Sequence, residues 1–402
     1  MVKGNISKKS NDVEYKLKVV CMGFDWDNIA FNNISFTKSK LDRDGLKPDF
    51  NEFLLLYAGS KCKRQEISKN PFFLTWHICL LSRLRIFYDL FFIFFLPAVL
   101  LYESYEPDFY YLSDFPYVLS AIIPARLGGS KIYFRLVNLP TELALTKGVK
   151  GRLYYLYYRL IEKLAIPFID HFIVINETTK KYLMDLGVKE RQIILDIPDT
   201  IARDKLHIEK ADKNYIRQKY NISINKKIIL SIGSLLQEKG FSELIKVFAK
   251  LKRNDLILII CGKGKELENL KNLCKKFGVK EKIIFAGFIG REKIWHYFVG
   301  ADIFILFSKS ESLGMVFWEA MYAGLPIIGT PVGGVKETIG NDGERGFYWQ
   351  NDLKDLKNKI NFYLNNKIAK KKELVIKRAK EYVEQKMKTK KNINEIFFNH
   401  KL

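Results

Sequence analysis

Short apolar runs with strand character alternate with longer stretches of helical periodicity along most of the chain. Such alternation selects parallel sheets with helices on their faces, because a parallel strand pair needs a crossover of about a dozen residues and a helix is the usual one. The runs fall into two sets. The first comprises Lys18–Met22, Glu52–Tyr57, Phe109–Leu112, Lys131–Arg135, Phe172–Ile175 and Gln192–Leu195. The second comprises Lys227–Ile232, Leu256–Cys261, Lys282–Ala286, Ile303–Phe307, Pro326–Gly329 and a short run near Gly346–Trp349. Between them, Pro198–Tyr220 is polar and charged without a strand, and reads as a linker. The fold class predicted is therefore α/β with two doubly wound domains, 1–200 and 201–380, which suits a chain of 402 residues. After Asn351 the chain becomes Lys-rich, and residues 352–402 read as a pair of solvated amphipathic helices.

Charge narrows the partners. Sixty-seven Lys and Arg against 44 Asp and Glu give a net charge of +23, which draws a chain toward nucleic acid, a membrane surface or a phosphorylated ligand. The five cysteines (Cys21, Cys62, Cys79, Cys261, Cys274) contain no C-x-x-C pair, so neither a disulfide framework nor a zinc site is indicated, and a reducing cytoplasm fits. His77, His171, His207, His296 and His400 form no ligand-spaced cluster and read as packing or surface residues. The polar N-terminus lacks the apolar core of a secretory signal. The most apolar stretch, Leu90–Tyr102, is broken by Pro97 and is shorter than the ~20 residues that span a bilayer, so it reads as a buried or interfacial helix.

Chemistry concentrates in residues 308–337, SKSESLGMVFWEAMYAGLPIIGTPVGGVKE, which follow a strand and pass through a loop, a helix and another strand. Glu311 lies in the loop, Gly314 permits close backbone approach, and a helix is predicted to start at Met315. The free N–H groups of Gly314, Met315 and Val316 then point into the crevice at the carboxyl ends of the strands, where a phosphate binds. Glu319, just over one turn into the helix, puts a second carboxylate toward the same ligand. A nucleotide sugar carries both the phosphates and the hydroxyls such a site accommodates.

The E-x7-E pattern of Glu311 and Glu319, followed by A-M-x-x-G-x-P (Ala320–Pro326) and T-x-V-G-G-x-x-E (Thr330–Glu337), resembles the donor-site signature of the family 4 retaining glycosyltransferases, of the glycosyl transferases group 1 type. IGSLLQEKGFSELIKVF (232–248), ICGKGKE (260–266) and IIFAGFIGREKIWHYFVGADIFIL (283–306) follow the family's C-terminal domain in order. The N-terminal half is similar more loosely, through PDFYYLSDFP, KIYFRLVNLPTE, IDHFIVINETTKKYLMDLGV and IILDIPDT. The resemblance implies the GT-B fold, two Rossmann-like domains facing each other across a cleft, with a C-terminal helix, 381–402, crossing back to the first domain. It also implies transfer of a hexosyl unit from a nucleotide-diphosphate sugar, with retention, to a hydroxyl of a lipid-linked or glycan acceptor.

Roles follow from the resemblance residue by residue. Glu311 is expected at the donor sugar's hydroxyls near the reacting centre and Glu319 at the ribose hydroxyls. Lys239 is expected to neutralise the departing diphosphate, which makes Glu311 and Lys239 the catalytic pair. The family's arginine five positions before that lysine is here Ser234, so the helix N-terminus, Lys263 or Arg291 would supply the missing charge. Gly233, Gly262 and Gly264 sit at strand-to-helix turns, and Phe288 and Ile289 fall where the family's backbone meets the base. Gly333 and Gly334 read as turn residues and Glu337 as a helix-start charge. On the acceptor side, Asp114, Asn138 and Glu142 are the candidates, although Arg135, Val137 and Asn138 replace the family's Asp, His and Glu, and GFDWDN replaces its first glycine loop.

Two D-x-D triplets, Asp25–Asp27 and Asp42–Asp44, are similar to the metal motif of the other large glycosyltransferase fold but lack its strand order, so no metal and no other cofactor is expected. Residues 147–168 interleave Lys147, Lys150, Arg152, Arg159 and Lys163 with Tyr154, Tyr155, Tyr157 and Tyr158, either as an interfacial helix on an anionic membrane or as a core helix with solvated charges. Docking would place the protein in the cytoplasm, peripheral on the inner face of the cell membrane. Basic and aromatic residues also mark nucleic-acid binders, but nucleic acid would not explain the E-x7-E constellation. The rival functions are a nucleotide-sugar epimerase of the same fold and a non-catalytic scaffold or nucleic-acid-binding pseudo-transferase.

Overall fold

The structure is a computed structural model that describes residues 18–24, 52–58, 65–69, 72–78, 109–112, 115–136, 148–195, 201, 205–365 and 369–388. The chain divides into two compact units, Met1–Arg135 with Leu160–Phe172, and Leu136–Arg159 with Ile173–Leu402.

The first sheet contains β1 (Lys18–Phe24), β2 (Glu52–Ala58), β3 (Gln65–Lys69), β4 (Phe72–Ile78), β5 (Phe109–Leu112), β6 (Lys131–Leu136), β7 (His171–Val174) and β8 (Ile193–Leu195). Their spatial order is β3-β4-β2-β1-β5-β6-β7-β8. Pairing is parallel from β4 through β2, β1 and β5 to β6. The edge pair β3 and β4 is antiparallel and was not predicted. Only Asn70 and Pro71 separate these strands, so a search for strand–helix alternation passes over them. Helices α1 (Phe115–Leu127), α2 (Gly148–Ala165) and α3 (Glu177–Asp185) complete this half of the chain. Phe115, at the start of α1, stacks on Phe134 of β6 with centroids 4.3 Å apart, and Phe134 meets the Phe172 ring of β7 edge-on at 6.2 Å. Each fully buried ring of this size contributes about 1.5–3 kcal/mol.

The second sheet contains β9 (Lys227–Ile232), β10 (Leu256–Cys261), β11 (Ile283–Gly287), β12 (Ile303–Leu306), β13 (Ile327–Gly329) and β14 (Phe347–Tyr348), all paired parallel in the order β11-β10-β9-β12-β13-β14. Around it lie α4 (Lys205–Glu209), α5 (Tyr215–Lys219), α6 (Phe241–Leu251), α7 (Leu267–Lys276), α8 (Arg291–Gly300), α9 (Met315–Tyr322), α10 (Gly333–Ile339), α11 (Leu353–Leu364) and α12 (Ala369–Lys388). Central strands are apolar on both faces, as a covered parallel sheet demands; all four residues of β12 are buried. The chain builds outward from β9 through β10 to β11, then returns to place β12 on the other side of β9. That reversal is a topological switch point, and it opens a crevice at the carboxyl ends of β9 and β12.

Aromatic contacts fix α9 beside this crevice. Phe317 packs edge-on against Phe304 at 5.2 Å, and the Trp318 indole N–H donates to Thr338 Oγ1 at 2.8 Å. Helix α12 covers α9, with Tyr382 edge-on to Trp318 at 5.7 Å and Val383 fully buried. Helix α12 therefore buries one apolar stripe, Val375, Ala379 and Val383, in the core of the second sheet and leaves Lys370, Lys371, Lys377 and Lys380 exposed.

Candidate active site

Lys239 is delivered to the switch point by a tight turn. After β9 the chain runs through Gly233 and an exposed Ser234 into a short 3-10 turn, Gln237–Lys239, that ends at Gly240 with φ +70°. A Cβ at Gly240 would stand 1.9 Å from the Phe307 carbonyl oxygen, so the turn lies directly on the end of β12. The Lys309 N–H donates to the Glu238 carbonyl at 2.7 Å and ties the turn to the following loop. Lys239 Nζ then reaches Glu311 Oε1 at 2.7 Å, and the Ser308 hydroxyl donates to the same oxygen at 2.9 Å. Both side chains are largely enclosed, 23% exposed for Lys239 and 10% for Glu311.

The loop carrying Glu311 is anchored through its backbone as well. The Thr330 hydroxyl donates to the Ser308 carbonyl, and the Gly334 N–H donates to the Glu311 carbonyl at 3.0 Å. A Cβ at Gly333, whose φ is +44°, would fall 1.8 Å from that carbonyl oxygen, which is why the G-G pair stands there. Gly314, at φ +70°, turns the chain into α9, whose helix starts at Met315 as predicted. The N–H groups of Gly314, Met315 and Val316 precede the first intrahelical donor, the Phe317 N–H, which bonds the Gly314 carbonyl at 2.8 Å, and are the groups a helix start leaves without an intrahelical acceptor.

Glu319 lies one turn further along, its side chain 8% exposed, and accepts from Arg291 Nη1 at 2.5 Å. The structure thus brings Glu311 together with Lys239, and Glu319 together with Arg291. Lys263 instead lies 5.8 Å from the ring of Phe288, which is 68% exposed, with Ile289 half-buried next to it. Gly262 has φ +145° and its Cβ would sit 1.9 Å from the Gly233 carbonyl oxygen, so these two glycines press the ends of β9 and β10 together. Gly264 approaches the Leu235 carbonyl in the same way. Glu337 accepts from the Glu177 N–H at 3.0 Å, from Lys386 Nζ at 3.1 Å and from the Tyr382 hydroxyl at 3.3 Å, and so acts as a clasp between helices.

Asp114, Asn138 and Glu142 lie outside the described residues, as do both D-x-D triplets and His400. His171 stacks on Tyr133 at 5.0 Å, and His296 stacks on Tyr215 at 4.6 Å while accepting from the Asp212 N–H. Among the described residues no group of three His, Cys, Asp or Glu side chains is placed to hold a metal ion. Sequence reading assigns no role to Ser308 or to Asn176, whose Nδ2 donates to the Ser312 carbonyl, and Arg291, expected as a charge for the diphosphate, is paired with Glu319 instead. Ser308 carried a signal, three residues before Glu311 at a strand end; Asn176 is 136 residues from its acceptor and carried none.

A lysine, two carboxylates and a helix N-terminus stand together at the switch point of a doubly wound sheet, and the two-sheet architecture is that of the GT-B fold. The model of the glycosyl transferases group 1 family matches residues 212–382 of this chain. It is 33% identical over 135 residues to an uncharacterized glycosyltransferase of Methanocaldococcus jannaschii, covering 33% of this chain and 35% of that protein. It is 31% identical over 139 residues to the N-acetyl-alpha-D-glucosaminyl L-malate synthase of Bacillus anthracis, covering 34% and 36%. The matches thus span about a third of these relatives' length. Among solved structures, Anabaena Alr3699/HepE in complex with UDP has a TM-score of 0.65 at 16% identity over 92% of this chain and 95% of that one. The lipopolysaccharide biosynthesis glycosyltransferase WaaG has a TM-score of 0.63 at 16% identity, again over 92% and 95%.

Proposed function

We propose that this chain is a retaining glycosyltransferase that moves a hexosyl unit from a nucleotide-diphosphate sugar to a hydroxyl of a lipid-linked or glycan acceptor, without a metal ion. The observation that carries this reading is the Lys239–Glu311 pair, 2.7 Å apart at the carboxyl ends of β9 and β12 beside the N-terminus of α9. In this reading residues 201–380 hold the donor and 1–200 the acceptor. Lys239 and the first-turn N–H groups of α9 take up negative charge as the bond from the anomeric carbon to the diphosphate breaks. Glu311 accepts from the sugar hydroxyls, and Glu319, held by Arg291, accepts from the ribose. The acceptor hydroxyl attacks the anomeric carbon from the face the diphosphate leaves and gives its proton to the departing phosphate oxygen, by same-face substitution or through a short-lived ion pair.

Helix α2 supports a peripheral site on an anionic membrane, on the cytoplasmic side. Leu156, Leu160 and Leu164 recur every fourth residue and are 63%, 57% and 49% exposed, while Tyr158 is buried. Lys163 is exposed beside this stripe, and the net charge of +23 favours an acidic surface. No described helix is long and apolar enough to cross a membrane.

The test is release of nucleoside diphosphate from UDP-, GDP- and ADP-glucose, with and without a bacterial lipid extract, followed by NMR of the product's anomeric proton. Acceptor-dependent release with an α-linked product from an α-linked donor is expected. Conversion of the donor to another free nucleotide sugar without acceptor would make the protein an epimerase, and no turnover or binding of any donor would favour the scaffold.

A further inference from the structure

Asn176 sits at the start of α3, is 3% exposed, and uses the two ends of its amide for different tasks. Its Oδ1 accepts from the Thr179 N–H at 2.7 Å, the standard helix N-cap bond. Its Nδ2 donates to the Ser312 carbonyl, in the loop that carries Glu311. The cap alone would be served equally by Asp or Ser; only the second bond requires an amide that accepts and donates at once.

That second bond completes a cage. The Glu311 carbonyl is held by the Gly334 N–H and the next carbonyl, Ser312, by Asn176, while the Glu311 carboxylate is held by Lys239 and Ser308. Glu337, on the same helix as Gly334, accepts from the N–H of Glu177, the residue after Asn176. The start of α3, the Glu311 loop and α10 are therefore closed into a ring of hydrogen bonds, in which the Asn176 side chain bonds the backbone of the residue after Glu311. A carboxylate that must meet sugar hydroxyls in one geometry depends on such support.

We propose that Asn176 is a positioning residue that sets the Glu311 carboxylate for the donor's sugar through Ser312, an inference that rests on Glu311 being a sugar ligand. The separating variant is Asn176→Asp, which keeps the cap acceptor, removes the N–H donor and faces the Ser312 carbonyl with a carboxylate.

The experiment compares calorimetric affinity for each nucleoside diphosphate with that for its hexose derivative (UDP and UDP-glucose, GDP and GDP-mannose, ADP and ADP-glucose) in wild type, Asn176→Asp and Asn176→Gln, with Glu311→Gln as reference. For the pair that wild type binds, Asn176→Asp should weaken the nucleotide sugar about tenfold, the worth of a hydrogen bond to a charged group, and the free diphosphate by less than about twofold. Glu311→Gln should show the same ratio, and Asn176→Gln, which keeps an amide N–H, should recover part of the sugar affinity. Equal loss for both ligands would show a structural cap and overturn the inference, as would an unchanged ratio in Asn176→Asp. Wild type that binds no nucleotide sugar would instead overturn the functional reading on which the inference stands.

Discussion

The two carboxylates at the switch point of the second sheet meet their cations in opposite ways. Glu311 and Lys239 are both enclosed; the carboxylate accepts from a hydroxyl and a lysine at once, and the Glu311 carbonyl accepts from the Gly334 N–H. Glu319 is as buried as Glu311, but Arg291 is 47% exposed and reaches in from the first residue of α8. An enclosed pair has little freedom to reorganise, as a site that stabilises developing charge requires. A buried acid with a solvent-facing base can exchange that base for ligand hydroxyls at small cost, as a binding contact requires. Removing members of the two pairs should therefore separate rate from affinity.

The largest effect is expected at the enclosed pair. Lys239→Ala should lower turnover about 100- to 1000-fold, the usual loss when one preorganised charge-stabilising donor is deleted. Initial rates at saturating donor measure it, and a change confined to KM would make Lys239 an ordinary binding contact. At the open pair, Glu319→Ala should weaken donor affinity about 10- to 100-fold through lost hydrogen bonds to a charged acceptor, with turnover at saturation changed far less. Arg291→Ala should cost less than about fivefold, shrinking further in 0.5 M salt because a half-exposed pair is screened. Equal, salt-independent losses at Arg291 and Lys239 would erase the contrast between the pairs.

Stability offers two smaller tests. Gly240→Ala forces a Cβ into the Phe307 carbonyl at positive φ and should cost at least about 2 kcal/mol in urea unfolding, whereas Gly278→Ala, with φ +65° but no neighbour within 4 Å, should cost about 1 kcal/mol. Equal costs would remove the close approach from the account of Lys239. Burial pushes the thiol of Cys261 up to about 12 and that of Cys274 up to about 11, from ordinary values near 9. The folded chain then holds protons that the unfolded chain releases, so stability should fall as pH rises above about 9. Cys261→Ala, if it folds, should flatten part of that fall in urea titrations at pH 8, 9 and 10; an unchanged slope would contradict it.

Much of this was legible because it is local. The strands of the second sheet, the start of α9 at Met315 and the glycines of the Glu311 loop are all marked by residues adjacent in sequence. Apolar runs, a helix-opening glycine and a G-G pair have meanings that hold within a few residues. The β3–β4 edge pair was not legible, because Gln65–Lys69 is polar and only two residues of sequence separate it from Phe72. The partner of Glu319 and the second hydrogen bond of Asn176 were not legible either, since each joins elements that only the folded topology brings together. Lys239 is intermediate: its motif was readable, and its 72-residue reach to Glu311 follows once β9 and β12 are known to be neighbours.

Calorimetric titration of the protein with UDP-, GDP- and ADP-sugars in EDTA, beside Lys239→Ala and Glu319→Ala, tests the central claim most directly. The account predicts metal-free binding to one nucleotide class, weakened in both variants. Binding that requires a divalent ion, or that both variants leave intact, would contradict a donor site built from Lys239, Glu311 and Glu319.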